Sequence, residues 1–112
     1  MNWHKITEEA VLDKLKEESK QHKILIFKHS TRCPISATAL SRLERSWQDQ
    51  AMGDIKPYFL DLISYRTISN KIAEVFGVKH ESPQVIVLDQ GKVVYHESHL
   101  NIQYDAIQSL VS

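Results

Sequence analysis

The sequence predicts a small α/β domain: a mixed four-stranded sheet with helices on both faces, formed by one domain spanning residues 1–112. Three observations carry this. The apolar run at 23–28 is rich in β-branched and aromatic residues and lacks alternation, so it reads as a strand covered on both faces. Helical and strand-like segments then alternate, which implies parallel neighbours joined by crossovers. Near the end, two strand-like runs meet at Asp89-Gln90-Gly91-Lys92, a turn signal that adds an antiparallel edge. The resulting order is α-β-α-β-α-β-β-α. No repeat, low-complexity stretch or long linker divides the chain.

Taken in order, residues 7–20 read as a helix, with Thr7 as N-cap and Glu8 and Glu9 at the positive end of the dipole. Val11, Leu12 and Leu15 form its apolar stripe. The strand at 23–28 follows. Pro34 suits the first position of a second helix, where a missing N–H costs nothing. Ala37, Leu40, Leu43, Trp47 and Ala51 continue at helical spacing until Gly53. Leu40, Leu43 and Trp47 are assigned to the core, whereas Trp3 fits a sheet edge or an interface. Residues 57–63 read as the next strand. Ile68, Ile72, Val75 and Phe76 mark a third helix, closed by Gly77. Residues 84–88 and 93–97 form the hairpin, and Ile102, Ala106, Ile107, Leu110 and Val111 a closing helix.

Composition removes several function classes. Lys+Arg and Asp+Glu are each 14, so the formal net charge is zero and no basic footprint for nucleic acid or membrane is present. No apolar run approaches the roughly 20 residues of a membrane span. The N-terminus lacks the apolar core of a signal peptide. A single cysteine excludes an internal disulfide, and a reducing, cytoplasmic location is expected. His96 and His99 are close in sequence, but two histidines near a turn do not make a zinc site; no metal site is expected.

That cysteine, Cys33, sits where the first strand ends and the second helix begins, within His29-Ser30-Thr31-Arg32-Cys33-Pro34-Ile35-Ser36. Unpaired N–H groups and a positive dipole gather at a helix start, so a thiolate there is stabilised. The alternative is a buried, inert cysteine; a helix start followed by proline is not a core slot. The N–H groups near Ile35 and Ser36 would support the thiolate, and Ser36 Oγ would add a hydrogen bond. Arg32 is an adjacent cation that supports the thiolate or attracts a carboxylate-bearing thiol, or it is simply solvated. Thr31 contacts substrate or satisfies the loop backbone. His29 is a strand-end residue or, less readily, a proton partner of Cys33.

Cys33 after the first core strand, Pro34 beside it, and Ser82-Pro83 just before the hairpin resemble the thioredoxin-fold family across essentially the whole chain. The run Thr31-Arg32-Cys33-Pro34-Ile35-Ser36 is similar to that of the YtxJ-type monothiol bacilliredoxins, small general-stress proteins of bacteria that make bacillithiol. The resemblance implies that Pro83 is cis and lies against Cys33, leaving the Ser82 backbone to pair with an extended substrate; a trans proline opening an edge strand is the other reading. Two departures matter. Dithiol members carry a second cysteine where this chain has Ser36, and thioredoxins carry a buried acid where it has Phe27.

A lone Cys33 can attack one disulfide and become a mixed disulfide, but a hydroxyl cannot resolve it. The second thiol must come from outside. The implied activity is removal of bacillithiol from S-bacillithiolated protein cysteines. S-thiolated cytosolic proteins are then the partners, with bacillithiol as co-substrate and no bound cofactor. Two alternatives remain at this stage. One is an iron–sulfur carrier like the monothiol glutaredoxins, which needs a dimer and external thiols and typically has glycine in place of Pro34. The other is a non-catalytic binding module using the Ser82-Pro83 groove.

Overall fold

A computed structural model describes residues 1–111. The strands are β1 (His4–Lys5), β2 (Ile24–His29), β3 (Lys56–Asp61), β4 (Gln84–Asp89) and β5 (Lys92–Ser98). The helices are α1 (Val11–Glu18), α2 (Pro34–Ser46), α3 (Arg66–Phe76) and α4 (Tyr104–Gln108). The sheet runs β1-β3-β2-β4-β5, with β1, β2 and β3 mutually parallel and the other pairings antiparallel. The sheet therefore has five strands among the described residues, not four. The additional strand, β1, is two exposed residues that pair with Tyr58 and Phe59. A pair so short carries no periodicity to read.

β2 is the central strand, and all six of its residues are buried. Its side chains alternate between two cores. Ile24 and Ile26 meet Leu12 and Leu15 of α1 and Ile68 and Ile72 of α3. Leu25 and Phe27 meet Ala39 and Leu43 of α2 and Ile107 of α4. With apolar partners on both faces, the run has no reason to alternate with polar residues.

Several boundaries differ from expectation for local reasons. The helix expected at 7–20 begins at Val11, with Ala10 rather than Thr7 at its cap. Ile6 N–H still bonds the Phe59 carbonyl at 2.9 Å, so the chain leaves the sheet only afterwards and must turn before it can coil. The helix expected to continue toward Gly53 stops at Ser46, and Trp47 is extended. Trp47 Nε1 donates to Asp49 Oδ1 at 2.9 Å, and its ring lies edge-on to Tyr104. A 3₁₀ turn, Asp49–Ala51, completes the connection. β3 ends at Asp61 because its carboxylate accepts the N–H groups of Ile63 and Ser64, folding the chain into a turn. The closing helix is five residues, preceded by a 3₁₀ turn at His99–Asn101.

Other expectations hold. Gly77 closes α3 with φ of 68°, the left-handed conformation of a helix-ending glycine. Gln90 and Gly91 both have positive φ, as the two-residue turn of a twisted hairpin requires. That turn docks on the end of α1: Gln90 N–H bonds the Ser19 carbonyl, and Gly91 N–H bonds Ser19 Oγ at 2.8 Å.

Candidate active site

The site is built at the end of β2. Ser30 is buried, Thr31 and Arg32 are exposed, and the Cys33 N–H closes a turn onto the Ser30 carbonyl at 3.2 Å. Cys33 is the N-cap of α2, with extended backbone (φ −110°, ψ 117°). Its carbonyl accepts the Ala37 N–H, the first bond of the helix. Pro34 occupies the first helical position and has no N–H to orphan. The next N–H groups, of Ile35 and Ser36, have no intrahelical acceptor and form the positive end of the helix beside Cys33. Cys33 is partly exposed and free, and Pro34 and Ile35 are exposed around it.

Ser36 differs from its expected role. It is fully buried, and its Oγ lies 2.7 Å from His29 Nδ1 and accepts the Ser30 N–H at 3.0 Å. Among the described residues no hydrogen bond joins Ser36 to Cys33. The physical reason is that β2 ends with buried polar groups that need partners, and Ser36, one helical turn away, supplies one. Burial pushes the His29 imidazole below the ordinary histidine value, with Asp61 and Glu44 opposing. With His29 neutral and Nδ1 unprotonated, Ser36 O–H donates to it. His29 thus serves as a strand-end residue packed against Phe27 and Phe59.

The Ser82–Pro83 peptide bond is cis. Gln84, which follows it, lies directly across from Lys28 in the β2/β4 ladder, and the Pro83 carbonyl accepts the His99 N–H at 3.0 Å. Pro83 therefore enters β4 at the end of the sheet where β2 leaves for Cys33. Among the described residues no hydrogen bond engages the Ser82 main chain, and its buried Oγ also has no partner. Arg32 and Thr31 are exposed beside the cysteine, and Arg32 forms no ion pair among the described residues. Phe27, the departure from the buried acid of thioredoxins, is fully buried, its ring edge-to-face with Trp3. Trp3 in turn donates from Nε1 to Glu44 of α2.

Sequence reasoning missed the polar groups on the other face. Lys28 is fully buried, with Nζ 2.9 Å from His80 Nδ1 and 3.4 Å from the Ser69 carbonyl. The available signal was a lysine at the end of a run already read as covered on both sides.

A mixed sheet with helices on both faces, a single cysteine capping the helix after the central strand and a cis-proline opening β4 define the class: a thioredoxin-fold thiol redox protein with one cysteine. The chain belongs to the monothiol bacilliredoxin family, whose model, described as "Monothiol bacilliredoxin BrxC", matches residues 4–107. Among solved structures, one described as a proposed oxidoreductase with a thioredoxin fold is 30% identical, with a TM-score of 0.79 over 94% of this chain and 89% of that one. The thioredoxin of Fasciola hepatica superposes with a TM-score of 0.71 at 16% identity, covering 96% of this chain and 95% of the other. The oxidised thioredoxin of Plasmodium falciparum gives 0.73 at 11% identity, covering 99% and 100%. The last two are alike in fold alone. No helix among the described residues is long and apolar enough to cross a membrane.

Proposed function

We propose that the protein removes bacillithiol from S-bacillithiolated protein cysteines through a mixed disulfide on Cys33. The Cys33 thiolate attacks the bacillithiol sulfur of the modified protein, the protein cysteine leaves as a thiolate, and Cys33 carries bacillithiol. A second bacillithiol thiolate then attacks that sulfur, forming bacillithiol disulfide and freeing Cys33. The orphan N–H groups of Ile35 and Ser36 support Cys33 as attacking and as leaving sulfur. Thr31, Arg32, Ser82 and Pro83 surround the incoming disulfide, and Arg32 suits the carboxylates of the small thiol. The partners are S-thiolated proteins of the cytoplasm, and no bound cofactor or metal is required.

The observation that carries this reading is the engagement of Ser36 with His29 and Ser30: the position of a resolving thiol is filled by a hydroxyl bonded to the strand end. Incubation with a bacillithiolated substrate protein, followed by intact-mass analysis, tests it. Cys33 gains one bacillithiol as the substrate loses it, and Cys33→Ser gains none. A substrate that stays modified while Cys33 remains free overturns the reading.

A further inference from the structure

Three consecutive residues lead into Ser82, and each is held by a side chain from a different strand. Gln84 of β4 donates from Nε2 to the Lys79 carbonyl at 3.0 Å. Lys28 of β2 places Nζ 2.9 Å from His80 Nδ1. Ser98 of β5 donates from Oγ to Glu81 Oε2. Lys28 lies directly across from Gln84, and Gln84 from Ser98, so all three side chains share one face of the sheet. One row across three strands thus grips the segment 79–81, just ahead of the unpaired Ser82 main chain.

Lys28 is the costly member of the row. It is fully buried and forms no ion pair with a carboxylate among the described residues. The groups that face it and His80 are Arg66 and Ser69 from α3, Glu81 from the loop, Gln84 from β4 and Ser98 beyond it. Burial, with Arg66 nearby, lowers the Lys28 pKa to about 8, so the ammonium form prevails at neutral pH. Burial, Lys28 and Arg66 push His80 below the ordinary histidine value, against Glu81, which leaves Nδ1 neutral and able to accept from the ammonium. An apolar side chain of similar length would fill the same space without the desolvation cost. What the lysine adds is a directed hydrogen bond to the residue two before Ser82.

We propose that Lys28 is a positioning residue whose hydrogen bond to His80 holds the Ser82 main chain where an extended cysteine-containing peptide pairs with it. The proposal rests on the reading of Cys33 as the exchanging thiol, and it assigns Lys28 to one substrate class. A polypeptide disulfide needs the Ser82 edge; a small disulfide reaches Cys33 without pairing to that main chain.

The test compares wild type, Lys28→Met, His80→Leu and the double variant. The first arm follows the Ser82 amide and the His80 ring by NMR across pH. In wild type the His80 titration lies below the ordinary histidine midpoint, and the Ser82 amide moves with it. In Lys28→Met the ring titrates closer to the ordinary value and the Ser82 amide shifts. The second arm measures single-turnover release of thionitrobenzoate by Cys33 from two probes: a cysteine decapeptide capped with that group, and the free aromatic disulfide. Lys28→Met raises the half-saturating peptide concentration roughly tenfold, the scale of one charge-assisted hydrogen bond, and leaves the small disulfide unchanged. The double variant is no worse than either single one. An unmoved Ser82 amide, or an equal loss with both probes, overturns the proposal. If wild type turns over neither probe, the catalytic reading fails, and the Ser82 amide alone decides the positioning role.

Discussion

Ser36 and Lys28 are both fully buried polar residues, but substitution will affect them in opposite ways. Ser36→Ala leaves the buried Ser30 N–H and His29 Nδ1 without a partner, so it should destabilise by about 1–3 kcal/mol. The transfer of bacillithiol proposed for Cys33 should persist in the same variant, because Ser36 Oγ is bonded to the strand end and not to the sulfur. Urea unfolding and intact-mass adduct formation measure the two effects separately. Lys28→Met should stabilise at pH 7, because it lifts the desolvation cost of a buried ammonium that exceeds the two hydrogen bonds it makes. The sign follows from proton binding: the unfolded chain holds the Lys28 proton more tightly than the folded one, so the penalty is complete below pH 8. It fades as pH rises through 8 toward 10.5, and the advantage of Lys28→Met should fade with it in urea titrations over that range. The places of Cys33, Pro34 and Pro83 in the fold were legible in the sequence because each is set by its own backbone position. The Lys28–His80 bond was not, since 52 residues separate the pair and nothing local marks them as neighbours.

At the scale of elements, legibility followed length and burial. β2, α3 with its closing Gly77 and the β4–β5 hairpin carry strong patterns, and they formed close to where the sequence put them. α2 stopped short because Trp47 and Tyr104, distant in sequence, pack together; helical spacing alone would have carried it onward. β1 was invisible because its two residues are exposed and owe their strand form to pairing with β3, which no local pattern announces. One buried side chain adds to the docking of the hairpin turn on α1, beside the bonds from Gln90 to the Ser19 and Lys20 carbonyls. Ser19 Oγ accepts the Gly91 N–H and donates to the Lys16 carbonyl. Ser19→Ala should cost about 1–3 kcal/mol, and amide exchange at Gly91 should accelerate by more than at amides in the middle of β2.

For the whole molecule, two histidines flank the end of the central strand from opposite faces: His29 beneath α2, His80 beside α3. Both are held below the ordinary histidine value, chiefly by burial. The unfolded chain binds their protons first, so the stability tied to their neutral forms is present above about pH 6.5 and is lost as pH falls through the folded values. The urea midpoint should therefore decline between pH 7 and pH 5. A variant carrying His29→Asn and His80→Asn should show a shallower decline, whatever its stability at pH 7. An equal slope in both proteins would place the acid sensitivity elsewhere.

The central place of β2 also has a consequence during synthesis. One neighbour, β3, follows it in the chain, and the other, β4, is translated later still. Cys33 is therefore made fifty residues ahead of Pro83, which opens the strand beside it. At ~5–20 residues per second, the ribosome needs about 3–10 s to cover that distance. For that interval the nascent chain carries its sulfur without the Ser82–Pro83 segment that stands at the same end of the sheet in the folded protein. Any small disulfide it meets then can cap Cys33 before folding is complete, so a fraction of newly made protein should emerge already carrying a small thiol.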